Sequence, residues 1–342
     1  MRYSFFVLLL LLFSCKKDEQ SANYKHVKHI PSIVDSLNTN AQVKEYLATK
    51  VDTNLRGFDM PPLDQMDITP FGGKNDSIFR SSFKKYGVTR NFYKADFDNN
   101  GYTDMLLLGG YGNSYYSFVV MNNGNSDPKV HLMGSFDYFF IPKLIYRKGN
   151  PLLEIHGEKP DFSKKKISFK PFHDTLHWKN IGFAGENQNP KEYKIEKIQF
   201  VEGGCFGTCP VFEIHIDDKG KTFFFAEFYN FSHDHGAKPE DKVFVTTLSN
   251  KTYNEIKSFL NYIDFSTLHN DYSVFYTDAA SCDLIITYDG GKTKKISDYG
   301  MLGSHELIAL YTYFKELRFN QNWKEIKKPD GIRINTWIRD TE

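Results

Sequence analysis

The chain lacks the features that would reveal its chemistry at sight. It has no Gly-x-Ser-x-Gly, no His-Glu-x-x-His and no phosphate-cradling glycine loop, so the common signatures of serine hydrolases, zinc peptidases and nucleotide enzymes are missing. It has almost no net charge, +1 from 43 basic and 42 acidic residues, which argues against nucleic acid and against general attraction to anionic lipid. No repeat of fixed period is present. Its one long apolar run extends only from Phe5 to Phe13, well short of the roughly 20 residues a membrane-spanning helix needs. Cysteine is scarce, at four residues, and tryptophan scarcer, at three. What is plentiful is Phe and Tyr, 31 and 21 residues. That enrichment leans toward sheet, with core packing the main use of the rings.

The front of the chain is more specific. Met1-Arg2-Tyr3-Ser4 is a short positive start, the apolar run follows, and Ser14-Cys15 closes it. These are the parts of a secretory signal. Leu12-Phe13-Ser14-Cys15 resembles the lipobox of bacterial lipoproteins. The resemblance implies a signal peptide over 1–14, cleavage before Cys15, lipidation of Cys15, and membrane attachment by acyl chains. Lys16-Lys17-Asp18-Glu19-Gln20, inside a polar tether over 15–25, resembles the export signal of Bacteroidota outer-membrane lipoproteins; by composition alone it is a solvated linker. The expected location is the outer membrane, lipid-anchored, at its periplasmic face or the cell surface. In that oxidising compartment, with Cys15 acylated, Cys205, Cys209 and Cys282 leave one pair and one free thiol.

The remainder reads as α+β, in two domains that are each a mainly antiparallel sheet with a few packed helices. The first spans 26–185. A helix is predicted after Asn40, carrying Val43, Tyr46, Leu47 and Val51 on one face. Residues 52–75 read as loop, with Pro61-Pro62 and Gly72-Gly73 as breakers. From about Ile78 the signal turns to β. Strands are expected over 102–108, 116–121, 138–146 and 152–156, then a hairpin from 167–172 and 174–178. Gly182 to Pro190 reads as a linker. The second domain, 193–325, follows the order ββββ–α–ββ–α. One helix is capped near Ser249 or Asn250, and a last helix after Ser304 buries Leu307, Ile308, Tyr311, Phe314 and Leu317. A tail over 326–342 closes the chain.

Asp96-Phe97-Asp98-Asn99-Asn100-Gly101-Tyr102-Thr103-Asp104 is the sharpest chemical signal. Its oxygen side chains alternate, Gly101 permits a tight turn, and Tyr102 can add its carbonyl. Hard oxygens converging in this way suit Ca²⁺. The set is Asp96, Asp98, Asn100, Tyr102 and Asp104, holding a structural ion. The twelfth position is Leu107, so the bidentate Glu of an EF-hand is missing, and a strand follows where an EF-hand has a helix. The loop resembles the calcium loop of FG-GAP or VCBS-type repeats, in a single copy. The alternative is an Asx-rich turn closing a hairpin without metal.

Gly203-Gly204-Cys205-Phe206-Gly207-Thr208-Cys209-Pro210 joins two strands of the second domain. Three readings stay open: a Cys205–Cys209 disulfide that pins the loop, a redox pair, and a zinc site needing Cys282 or His215 from afar. Cys205-Phe206-Gly207-Thr208-Cys209-Pro210-Val211-Phe212, with Tyr276-Thr277-Asp278 and Trp323, resembles the hallmark of an uncharacterised domain family of bacterial envelope proteins. The resemblance covers about 193–325 and implies no activity.

Other candidates are thinner. Ser232-His233-Asp234-His235-Gly236 would put two histidines on one face of a strand, a metal-ligand spacing, but in a polar turn they are solvated. His173 and His177 are four apart, with Pro171 and Thr175 against a helix. Thr277-Asp278 would cap or orient the cysteine loop. These features point to an envelope lipoprotein of binding or structural type, its partner an envelope protein or a glycan and not nucleic acid. The alternative is a hydrolase or thiol-redox enzyme using Cys205, Cys209 and Asp278.

Overall fold

The computed structural model describes residues 27–66, 76–112, 114–124, 127–134, 140–160, 169–232, 238–274 and 276–328. The signal segment, Cys15, the tether, Gly72-Gly73, His233, His235 and the tail beyond 328 lie outside the described residues. Among the described residues no helix is long and apolar enough to cross a membrane.

The first domain opens with two short helices, α1 (Ile33–Ser36) and α2 (Asn40–Tyr46). The α2 cap is Thr39, whose side chain accepts from the Gln42 N–H, one residue before the expected Asn40. A π-turn (Leu47–Val51), a 3₁₀ turn (Thr53–Gly57) and the short strand β1 (Phe58–Asp59) follow. Then come α3 (Asp76–Tyr86), β2 (Phe92–Ala95), β3 (Asp104–Tyr111), β4 (Ser114–Met121) and β5 (Lys129–Gly134). β1 and β2 both pair with β3, and β4 and β5 continue a five-stranded antiparallel sheet. Four more strands, β6 (Phe140–Arg147), β7 (Asn150–Pro160), β8 (Phe169–Lys179) and β9 (Gly182–Gly185), form a separate antiparallel meander.

β3 reads Met105-Leu106-Leu107-Leu108 without alternation because both of its faces are covered. Met105 and Leu107 pack with Val43, Leu47 and Phe118 under the first helices. Leu106 and Leu108 pack with Phe83, Leu153, Ile155 and Phe183 toward the second sheet.

The second domain contains β10 (Ile195–Gly203), β11 (Val211–Asp217), β12 (Lys221–Phe228), β13 (Lys242–Thr247), α4 (Asn250–Tyr262), β14 (Asp271–Ser273), β15 (Ser281–Tyr288), β16 (Lys292–Tyr299), α5 (His305–Asn320) and β17 (Lys324–Ile326). Its sheet runs β14-β16-β15-β10-β11-β12-β13-β17, antiparallel except where β14 meets β16. The α+β class and the ββββ–α–ββ–α order hold, with β14 and β17 added at the edges. Ser249 and Ser304 cap the two helices, accepting from the N–H groups of Thr252 and Leu307. Both helices lie on one face, where Phe200, Phe212, Ile214 and Phe224 meet Ile256, Leu260, Leu310 and Phe314.

Four local expectations change. Residues 76–86 form a helix where the signal read as β. Phe83 is buried and Tyr86, three residues on, stacks on His156, a helical spacing; Gly87, at φ 72°, ends it. Phe58 and Asp59 leave the predicted loop to pair with Tyr111 and Gly110. β8 is one strand and no hairpin, because His173 pairs across to His156 and Asp174 to Ile155. Gly182–Gly185 is a strand and no linker. Phe183 and Ala184 are buried, and only the stretch from 186 to 194 is irregular.

On β9, Phe183 packs into the core of the first domain, and the side carrying Gly182 and Ala184 is the one that α5 covers. Ile308 is half-buried, but His305, Leu307, Ala309, Leu310, Tyr311, Phe314, Leu317 and Arg318 are buried around the helix. A helix apolar on more than one face is covered on more than one face. α5 packs on its own sheet and also on β9 and β5. The His305 Nε2 donates to the Met133 carbonyl at 2.9 Å, and Glu306 Oε1 accepts from the Gly185 N–H at 2.9 Å. The two domains therefore share this helix.

Candidate functional site

The Asp96–Asp104 loop closes the β2–β3 hairpin, where Ala95 pairs with Asp104. Left-handed backbone at Asn99 (φ 56°) and Gly101 (φ 93°) curls the chain so that Asp96, Asp98 and Asp104 converge. One carboxylate oxygen from each lies within 4.8 Å of the others. Gly101 is required twice. Its φ disfavours a side chain, and a Cβ there would sit 2.8 Å from the Lys28 carbonyl. The segment before α1 lies across the loop, with the Ile30 N–H donating to the Gly101 carbonyl and the Val27 N–H to Asn99 Oδ1.

Asp104 is fully buried and accepts from the N–H groups of Phe97 and Asn122 at 2.8 and 2.7 Å. Burial, with the nearby charges of Asp98 and Asp96, pushes its pKa up to about 8. Burial likewise raises Asp98 to about 6. Among the described residues no ion pair neutralises the three aspartates. Three converging carboxylates with so little solvent fit a hard divalent cation. Asn100 fits less directly. Its Nδ2 donates to Asp98 Oδ2 at 3.0 Å and to the Asn122 carbonyl at 2.9 Å, while its Oδ1 accepts from the Tyr102 N–H. As a ligand it would have to turn its amide oxygen inward.

The cysteine loop joins β10 to β11. Cys205 and Cys209 are disulfide-bonded, their Cα atoms 5.5 Å apart. Phe206, at the tip, is 87% exposed, and its N–H donates to the Asp278 carbonyl at 3.2 Å. That contact is how Thr277-Asp278 orients the loop. The Asp278 side chain is exposed and accepts from Thr277 Oγ1 at 3.3 Å. The metal reading of this loop fails on position. Cys282 is buried in the helix-side core beside Tyr311, and burial raises its thiol pKa well above the ordinary value. His215 belongs to the other face of the sheet, where its Nε2 lies 2.6 Å from Glu213 Oε2. Beneath the loop is a cavity of about 10 Å³, lined by Glu202, Glu213 and Glu227 among others, room for no more than a single water. Trp323 is structural: its Nε1 donates to the Leu317 carbonyl and its ring packs near Phe224.

Because the disulfide closes a very short loop, Cys205→Ser with Cys209→Ser is expected to cost no more than about 2 kcal/mol in denaturant unfolding, by the chain-entropy relation. Among the described residues Cys282 is the one free thiol, and it is buried, so a thiol reagent should label it after denaturation and not before.

One cluster joins residues of two strands that strand register brings together. Glu154 and His156 on β7 meet His173 on β8. His177, singled out with His173, lies elsewhere, its Nε2 2.5 Å from the Tyr262 hydroxyl. The signal that finds the cluster is strand periodicity: Glu154 and His156 are two apart and share a face, and register sets His173 directly opposite His156.

Residues 196–318 match a family described as a domain of unknown function (DUF6438). That is the uncharacterised C-terminal domain carrying the cysteine loop. No curated protein and no solved structure matches.

Proposed function

We propose that the chain is a lipid-anchored envelope protein, acylated at Cys15, which works as a binding or structural module with a structural calcium in the Asp96–Asp104 loop. The observation that carries the reading is the disulfide-pinned loop that holds Phe206 out in solvent. A large exposed aromatic on a rigid tip suits contact with a partner. The thiol-enzyme alternative needs Cys205, Cys209 and Asp278 around a shared pocket. Here the sulfurs are bonded to each other and Asp278 offers the loop its backbone carbonyl.

A photo-crosslinking residue in place of Phe206, in the full chain expressed in a Gram-negative envelope, tests the binding reading. A discrete adduct with one envelope protein or glycan is the expected result. No adduct, together with turnover of a dithiol substrate that is lost in Cys205→Ser, would put the redox reading in its place. The anchor is tested separately: Cys15→Ser should abolish palmitate incorporation and release the chain from the membrane fraction.

A further inference from the structure

We infer that Glu154, His156 and His173 form a binding site for a divalent transition metal of the zinc class, distinct from the oxygen-rich loop. The three residues stand on the half-open face of the four-stranded sheet. His156 Nε2 is 3.1 Å from Glu154 Oε2, and His173 Nε2 is 3.4 Å from Glu154 Oε1. One donor atom from each lies within 4.8 Å of the other two. Bonds of about 2.0–2.1 Å to tetrahedral zinc imply ligand separations of about 3.3–3.5 Å. Each imidazole already stands near that distance from one of the two Glu154 oxygens, and the donors need only small side-chain turns to share one ion. Two imidazole nitrogens with one carboxylate oxygen is a donor set that zinc, cobalt and nickel take readily, and calcium does not.

The scaffold holds His156 and leaves His173 to adjust. The two imidazoles are stacked at an interplanar angle of 23°. Because a metal lies in the plane of each imidazole that binds it, His173 turns toward Glu154 when the ion enters. His156 lies between two rings, Tyr86 stacked at 4.1 Å on one side and His173 at 4.7 Å on the other. Glu154 is only a quarter exposed. The nearest competing cation is Lys143, its Nζ 3.6 Å from Glu154 Oε2. Its side chain is 38% exposed, so its head can turn to water when a metal enters. His173 is 59% exposed, which leaves the fourth coordination position open to water or to a ligand. The residue paired with Glu154 on β8 is Thr175, which lines an adjoining groove of about 210 Å³ that also presents Arg147, Lys148 and His177.

The test is Zn²⁺ titrated against a chromophoric chelator into the full mature chain, with millimolar Ca²⁺ present to occupy oxygen-rich sites. Uptake of a zinc equivalent is expected, with an N/O-ligated Co²⁺ absorption spectrum when cobalt replaces it. His173→Ala should weaken that uptake by at least about ten-fold, since loss of a direct ligand costs no less than loss of its supporting partner. His156→Ala should do the same, and Asp98→Asn should leave uptake unchanged. His173 is solvent-exposed, so its replacement tests the site without testing the fold. No zinc uptake by the parent chain, or equal uptake by His173→Ala, overturns the assignment.

Discussion

Calcium at about 10 mM is expected to stabilise the mature chain by about 1.4–2.7 kcal/mol, the range given by mass action for dissociation constants of roughly 10⁻⁴ to 10⁻³ M. The size of the effect depends on pH in a definite sense. Asp98 and Asp104 titrate near 6 and 8 in the folded chain, against 3.8 ordinarily. The native state therefore holds protons that the unfolded chain has released. Where the native state binds more protons, stability falls as pH rises. Without the ion, this contribution is fully present below about pH 4 and is lost as pH climbs through 6 and 8. Calcium supplies the positive charge that the protons supplied, so its stabilising effect grows over the same interval. Thermal unfolding with and without Ca²⁺ at pH 5 and pH 8 measures both parts. The calcium-induced rise in Tm should be larger at pH 8, and Asp98→Ala should remove it. A calcium-independent Tm at both pH values would show that the loop is only a turn.

The second large effect concerns the shared helix. A Cβ on Gly182 would lie 2.3 Å from the Ala309 Cβ, so Gly182→Ala must push β9 away from α5. Overpacking of this kind costs typically 1–3 kcal/mol. The upper end, about 3 kcal/mol, is expected here, because the neighbour is a Cβ held by a helix backbone and not the free end of a flexible side chain. Ala309→Gly alone should cost about 1 kcal/mol in helix propensity. Combined, the two changes move one methyl across the contact, and the pair should be more stable than Gly182→Ala alone. Denaturant unfolding of the four chains gives the coupling energy. Simple additivity would mean that the two surfaces do not bear on each other in solution.

Where the sequence was legible, the determining interactions were short in range. The carboxylate loop could be read because alternation of Asp and Asn around one glycine confines its donors to a single turn. The Ser249 and Ser304 caps could be read for the same reason, since a cap acts within three residues. The Cys205–Cys209 loop offered few geometries over so short a span. The misread elements were those decided by distant partners. Gly182-Phe183-Ala184-Gly185 has the composition of a linker and becomes a strand because β8 supplies its hydrogen bonds and α5 covers it. The 76–86 segment is a helix whose Phe83 and Tyr86 meet the two sheets; their helical spacing stands in the sequence, but what they pack against comes from distant strands.

The sequence by itself determined the α+β class, the succession of strands and helices along the second domain, the position of the acidic loop and the pairing available to the cysteines. Each follows from period, turn chemistry or closure over a few residues. Only the tertiary structure decided that α5 serves both domains, that Cys282 is sealed away from the cysteine loop, and that Glu154, His156 and His173 meet. Those outcomes depend on strand register and on which faces pack together. A shift of one residue in the β7–β8 pairing would send His173 to the opposite face. Burial of Leu153, Ile155 and Leu176 on the core side holds the register, and that burial exists only once the two sheets have packed.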